Sequence, residues 1–265
     1  MKKVKIFIAT HKEYNFPKKE GYIPIHCGSS SSNLNLPYLK DNKNDNISKK
    51  NSNYCELTAL YYAWKNEKNI DVIGLCHYRR YFYQSILFYT KQNIISIKKV
   101  LQILNKYDII LPLENYIPDK KTVRDKYNIN HHAKDLLKCE EIIKEKYPDY
   151  LQSFETIMNR NYCSHYNMFI MKKKDFDNYC NWLFNILFEL EKQTDVSSYD
   201  NYNKRIYGFI AERLLNVWVL QNKLKIKRLP VYNIESKRIK QIGSTLKQII
   251  LIFINKILKT KNKTS

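Results

Sequence analysis

Asp71-Val72-Ile73-Gly74-Leu75-Cys76-His77-Tyr78-Arg79-Arg80-Tyr81-Phe82 passes within a few residues from an apolar run to a basic and aromatic one. The run from Asp71 to Leu75 is short, continuous and apolar, the pattern of a strand buried on both faces. Such strands belong to layered α/β proteins, whose ligands lie beyond the carboxyl ends of the strands. At that end two adjacent guanidinium groups stand beside an imidazole, with aromatics on both sides. The set suits a diphosphate, because arginine presents a planar fork of donors to phosphate oxygens. An arginine pair bound to carboxylates is the competing structural use of the same residues.

Upstream, Val4 to Ala9 reads as a buried first strand ending at Thr10-His11-Lys12, the place where such folds dock a nucleotide. Asn33 to Asn53 reads as a long polar loop, and Tyr54 to Trp64 as a helix with Leu57, Leu60, Tyr61 and Trp64 on one face. Downstream, Ile94 to Leu104 has helical spacing and Asp108 to Leu111 is a strand stopped at Pro112. His132 to Asn159 is helical around Pro148, Tyr166 to Met171 is a strand, and Asp175 to Lys192 is an amphipathic helix. Arg205 to Leu220 gives a further helix and Leu224 to Leu229 a last strand. This alternation predicts an α/β domain over residues 1–235, a mainly parallel sheet flanked by helices.

Residues 236–265 differ, for no acid follows Glu235. Ile239, Ile242, Leu246, Ile249, Ile250, Phe253, Ile257 and Leu258 share a broad face of a basic amphipathic C-terminal helix, with Lys240, Lys247, Lys256 and Lys259 largely outside it. Its uninterrupted apolar run falls well short of the roughly 20 residues that span a bilayer. Peripheral contact with a membrane surface and docking on protein are the two uses expected of it.

The 265 residues carry 46 Lys and Arg against 25 Asp and Glu, a formal charge of +21, with 44% hydrophobic residues. That core capacity excludes general disorder, and 5 Gly with 7 Pro are too few for collagen-like or turn-dense all-β architectures. The six cysteines are scattered, without C-x-x-C or zinc-finger spacing, and no secretory signal opens the chain, which predicts a reducing cytoplasm. So large a positive charge attracts phosphates of any kind. No zinc finger, basic zipper or RNA-recognition signature accompanies it, so nucleic acid is not the expected partner, and a basic nucleic-acid-binding protein stands as an alternative.

Asp45, Asn46, Ser48 and Asn51, leading to Glu56, are side chains suited to hold a ribose or a sugar. The bland use of the same stretch is helix capping, by Ser52 or Asn53 with Glu56 completing a capping box. Asp175-Phe176-Asp177, the literal Asp-x-Asp, falls where a helix starts, so capping and the helix dipole explain it.

Several stretches together resemble a known family: Ile8-Ala9-Thr10-His11-Lys12, Asp45-Asn46-Ile47-Ser48, Tyr54-Cys55-Glu56-Leu57-Thr58, the His77-Tyr78-Arg79-Arg80-Tyr81-Phe82 motif, Tyr166-Asn167-Met168-Phe169-Ile170-Met171, and Arg205 through Leu214. The family is bacterial, first catalogued as domain of unknown function 4422, and its members act in capsular and exopolysaccharide biosynthesis. The resemblance covers residues 1–235. It implies a GT-A-like, Rossmann-like glycosyltransferase, a hexosyltransferase of inverting type, with galactofuranose among the sugars moved. The implied partners are a nucleotide diphosphate sugar, UDP-linked, and a glycan or lipid-linked glycan acceptor at the inner face of the cytoplasmic membrane.

On that implication His77, Arg79 and Arg80 stabilise the departing diphosphate and Glu212 is the general base. Thr10, His11, Lys12, Asp45, Asn46, Ser48, Asn51, Glu56, Tyr78, Asn167 and Arg205 bind substrate. Glu212 paired with Arg205 or Arg213 as a structural ion pair is an open alternative, with Glu56 and Asp135 next in line as base. His131, His132 and Asp135 stand either at the acceptor site or in a polar helix start. GT-A enzymes usually hold Mn or Mg at an Asp-x-Asp, and here His77-Tyr78-Arg79 takes that place, so no metal ligand is assigned. A noncatalytic nucleotide-sugar-binding assembly subunit is the remaining alternative.

Overall fold

The computed structural model describes residues 2–84, 93–117, 119 and 121–261, the side chains of 238–240 and 253–261 excepted. The chain opens with β1 (Val4–Thr10), β2 (Tyr22–His26), β3 (Leu39–Lys40), α1 (Asn51–Tyr54), α2 (Leu57–Asn66), β4 (Val72–His77) and β5 (Arg80–Phe82). It continues through α3 (Ile97–Leu104), β6 (Ile109–Pro112), β7 (Asn115–Tyr116), α4 (Val123–Asn130), α5 (Ala133–Lys146), α6 (Leu151–Met158) and β8 (Tyr162–Cys163). It closes with β9 (Phe169–Lys172), α7 (Lys173–Lys192), α8 (Ile206–Gln221), β10 (Ile226–Leu229), β11 (Val231–Asn233) and α9 (Arg238–Lys261).

The central sheet runs β10-β6-β9-β4-β1-β2-β3, with β5 and β11 branching from the end of β4. β1 is parallel to β4 on one side and to β2 on the other, and β10 is parallel to β6. Within the run from β10 to β3, β9 is the exception, antiparallel to both β4 and β6, and the branch pairs β5 antiparallel to β4 and to β11. The fold is therefore α/β with a mostly parallel sheet flanked by helices.

β1 is apolar throughout because both its faces are covered. Phe7 and Ala9 join the core built with α2, α5, α6, α7 and α8, whereas Ile6 and Ile8 join the one built with α3, β5 and β11. Gly74, in the middle of β4, has the Ile170 side chain lying across it. A Cβ there would stand 2.9 Å from Ile170 Cγ1, so glycine is what lets β9 seat at this position.

The structure departs from the expected elements at identifiable places. β2 was not anticipated, because Pro24 interrupts its apolar run. It is tolerated where β2 has β1 alone beside it, since β3 joins only at Ile25 and His26. The helix expected over Tyr54 to Trp64 is broken at Cys55, whose φ is 52°, leaving α1 and α2 separate. Glu56 is itself the N-cap of α2 and makes no side-chain capping bond, so the capping box is absent there. The polar loop is organised by buried Asp41, which accepts from Gly28 N, Ser29 N, Ser29 Oγ and Ser48 Oγ. Asp175 does sit in the first turn of α7, and Asp177 pairs with Lys173.

At the C-terminus, α9 begins docked on the domain: Gln241 Nε2 donates to the Val231 carbonyl, Gln248 meets Asn115, and Thr245 is buried. Ile242 packs against the core while Leu246 and Ile250 are exposed, so the single apolar face expected here is divided. The side chains of Ile239, Lys240, Phe253, Lys256, Ile257, Leu258 and Lys259 lie outside the described residues. Among the described residues no helix is long and apolar enough to cross a membrane.

Candidate functional site

From β1 the chain passes to β2 on one side of the sheet, and from β4 it passes to the other, so the carboxyl ends of β1 and β4 open at a switch point. A cleft of about 970 Å³ lies there. β1 supplies Thr10 and His11, and the tight β4–β5 hairpin supplies His77, Tyr78, Arg79 and Arg80.

The hairpin fixes the guanidinium pair. Tyr81 Oη donates to the Tyr78 carbonyl, and β11 pairs with β5 so that Ile234 N donates to the Arg79 carbonyl. This pairing carries Glu235 onto Arg79, with Nη1 3.2 Å from Oε2, and places Lys12 Nζ 3.9 Å from Oε1. Both partners of the Arg79–Glu235 pair are 37% exposed, so the contact is worth at most about 1 kcal/mol and yields readily to a stronger anion. Arg79 Nε is buried without a partner among the described residues. Arg80 lies over the Tyr166 ring at 4.6 Å. His11 is held below the usual imidazole pKa, by burial first and then by Lys12, Arg79 and Arg205. The cations that add to burial in discharging His11 also favour an anion in the same space.

The opposite wall comes from a left-handed corner. Tyr166 and Asn167 have φ of 80° and 51°, directly before β9. Because β9 is antiparallel, its start shares a sheet edge with the ends of β1 and β4. The Tyr166 carbonyl accepts from His77 Nε2 at 2.6 Å, and its N–H donates to Glu212 Oε1 at 3.0 Å. Buried Asn167 donates through Nδ2 to Glu56 Oε1 at 2.7 Å and to the Gly208 carbonyl at 3.0 Å. One corner thus positions both acids that line the cleft.

The two acids differ in engagement. Glu212 Oε2 accepts from Arg213 Nη1 at 3.1 Å and lies 3.6 Å from His165 Nδ1. Burial alone would raise the Glu212 pKa, but His165, Arg213 and the Tyr166 N–H bring it down to about 2. Burial also disfavours a charged His165, whereas Cys163 and Glu212 hold its pKa up to about 10. Among the described residues Glu56 makes no such ion pair, and Asn167 holds one of its oxygens.

A depressed folded pKa makes Glu212 stabilising above the unfolded carboxylate range, near pH ~4.3, with that stability draining as pH falls toward the folded value. The melting temperature should therefore drop from about pH 5 downward, more steeply in the parent than in Glu212→Gln. Equal slopes would reject the buried carboxylate. At neutral pH the variant leaves buried Arg213 facing an amide, and breaking a buried pair costs about 3–5 kcal/mol.

Thr10, His11, Asn51, Glu56, His77, Tyr78, Arg79, Arg80, Arg205 and Glu212 line the cleft. Lys12 sits at its rim over the Tyr78 ring, at 4.8 Å, and Asn167 lies just behind Glu56. Asp45, Asn46 and Ser48 are not brought to the cleft wall. Asp45 accepts from Tyr61 Oη, Asn46 Oδ1 accepts from Ser48 N, and the Ser48 hydroxyl is spent on Asp41. Their short side chains build the loop, which local sequence could not distinguish from ligand binding. Of the acceptor candidates, His131 lines the cleft, whereas His132 packs on Tyr199 and Asp135 accepts from Tyr199 Oη. His165, Tyr166, Arg213 and Glu235 escaped sequence reasoning as site residues. A polar Ser164-His165-Tyr166-Asn167 run just ahead of an apolar strand was the available signal.

Among the described residues no three His, Cys, Asp or Glu side chains converge as metal ligands. Of the cleft carboxylates, Glu212 is paired with Arg213 and Glu56 accepts from Asn167 at one oxygen, and the cleft is lined by the guanidinium groups of Arg79, Arg80, Arg205 and Arg213. Guanidinium forks of this kind suit an anion such as a phosphate.

Residues 5–223 match the family described as a domain of unknown function, DUF4422. Among solved structures, the apo structure of WbbM, a bifunctional glycosyltransferase, is similar with 30% identity and a TM-score of 0.83, over 88% of this chain and 46% of WbbM. The chain thus spans somewhat less than half the length of that protein. No curated protein matches the chain.

Proposed function

The chain belongs to the DUF4422 family, and from that premise we propose that it is a glycosyltransferase moving a hexose, galactofuranose among the candidates, from a nucleotide diphosphate sugar to a surface or capsular glycan. The observation that carries this reading is the Arg79–Arg80 pair at the cleft, with Arg79 held by a weak, displaceable Glu235 carboxylate. The likeness to a glycosyltransferase structure supports it.

The donor's base lies against Tyr78 and His11, and its diphosphate replaces Glu235 on Arg79 and reaches Arg80. Fixed cations stabilise the charge that grows as the sugar–phosphate bond breaks, and they require no reorganisation to do so. Glu56 takes the acceptor hydroxyl proton as that oxygen bonds to the anomeric carbon. The nucleoside diphosphate leaves with the bonding pair, a single displacement with inversion. Glu56 suits the base role better than Glu212, whose low pKa and three partners make it a poor proton acceptor. Glu212 instead holds Arg213 and His165 in place.

Purified protein should release nucleotide from at least one member of a panel of UDP-, GDP- and dTDP-sugars, scored with and without Mn²⁺ and chelator. A panel with neither turnover nor thermal shift would sink the reading, and binding without turnover would leave a noncatalytic subunit. Exposed Leu246 and Ile250 on a basic helix support peripheral contact with anionic lipid. Removing the residues after Glu235 should reduce co-sedimentation with phosphatidylglycerol vesicles while donor turnover persists; unchanged sedimentation would reject the contact.

A further inference from the structure

We infer that the part of the cleft wall where Tyr202, His131 and Phe209 cluster is the subsite for a sugar residue of the acceptor glycan. The inference rests on the glycosyltransferase reading of the same cleft. His131 lies 4.1 Å from Phe209 at 26° and 5.5 Å from Tyr202 at 19°, and Tyr202 lies 5.0 Å from Phe209 at 45°, a three-ring cluster in which Tyr202 is 52% exposed. An aromatic left half open beside polar groups is a platform for the apolar C–H face of a sugar. Asn130, Asn201 and Lys204 line the same cleft and offer partners for hydroxyls.

The platform is built rigidly. Asp200 accepts from Tyr202 N, Asn203 N and Asn203 Nδ2, at 2.8, 3.0 and 2.7 Å. This turns Asn203 Oδ1 onto His131 Nδ1 at 3.1 Å, so Nδ1 donates and the ring is held in the cluster. The turn is also stitched to the base. Asn53 Nδ2 donates to the Lys204 carbonyl at 2.8 Å and Arg205 Nε donates to Cys55 Sγ at 3.2 Å, next to Glu56.

A nucleobase is the other flat ligand such rings take, but the β4–β5 hairpin suits it better. There Tyr78 is packed by His11, Tyr14, Lys12 and Arg79, so base and diphosphate find aromatic and cation together. The acceptor must approach the proton-accepting carboxylate from the other side, and Tyr202 stands on the segment tied to that carboxylate.

Saturation-transfer NMR with the methyl β-glycosides of galactose, glucose and N-acetylglucosamine tests this on the whole chain, alone and with UDP, GDP or dTDP present. At least one glycoside should bind without being displaced by nucleotide. Its affinity should fall at least tenfold in Tyr202→Ala and be retained in Tyr202→Phe, with nucleotide binding unchanged in both. Glycoside binding untouched by Tyr202→Ala, or no glycoside binding beside intact nucleotide binding, would overturn the subsite. So would loss of nucleotide binding in that variant, which would make Tyr202 the nucleobase platform. Tyr202-dependent glycoside binding without any nucleotide binding would instead keep a sugar subsite and remove the proposed transferase.

Discussion

Arg79→Ala should lower donor turnover by about 10²–10³-fold, the effect of removing one preorganised donor from a developing oxyanion, or about 3–4 kcal/mol in the barrier. The loss falls on the departing diphosphate, so it should appear in kcat as well as in nucleotide affinity. Stability should hardly change, because the contact given up in the free protein is the half-exposed ion pair with Glu235. Arg79→Lys keeps the charge but not the planar fork and should recover only part of the rate. Glu235→Gln should do the reverse and tighten nucleotide binding modestly, since the diphosphate then displaces a neutral group. An Arg79→Ala protein with parental turnover would remove the physical basis of the enzyme reading, whatever its family.

Glu56→Gln should cut turnover by about 10²–10⁴-fold, the usual worth of a general base, with little change in donor KM. The amide oxygen still accepts from Asn167, so the corner is preserved and the fold with it. Glu212→Gln is the informative contrast, because its main damage is expected in stability, through stranded Arg213. Measured at a temperature where both variants are folded, parental turnover in Glu56→Gln beside its loss in Glu212→Gln would return the base role to Glu212. Asn167→Ala should imitate Glu56→Gln more weakly, by releasing the carboxylate, and it also places alanine at a φ of 51° that asparagine tolerates better.

What local sequence carries is the alternation of buried strands and amphipathic helices, and at β4 it also carries the site. An apolar run ending in His77-Tyr78-Arg79-Arg80 can be read without knowing any long-range contact, because a strand buried on both faces and a change to basic residues at its end are local events. Thr10 and His11 are legible on the same ground. β2 was hidden by Pro24, and the break at Cys55 was hidden because nothing in residue type demands a left-handed cysteine.

Strand direction belongs to tertiary structure alone. A strand's apolar pattern is the same in either orientation, so Phe169–Lys172 could be seen as a strand but not as antiparallel. With that direction decided, its preceding corner, rather than its end, faces the cleft; Tyr166 joins His77 and Asn167 joins Glu56, 89 and 111 positions away, and His165 joins Glu212. The same holds for Glu235 on Arg79 and for Tyr202 on His131. Sequence therefore determined that this chain is a basic α/β protein with a strand that ends in basic and aromatic residues. Only packing decided which carboxylate is spent on a buried cation and which meets an amide, because that depends on neighbours remote in the chain.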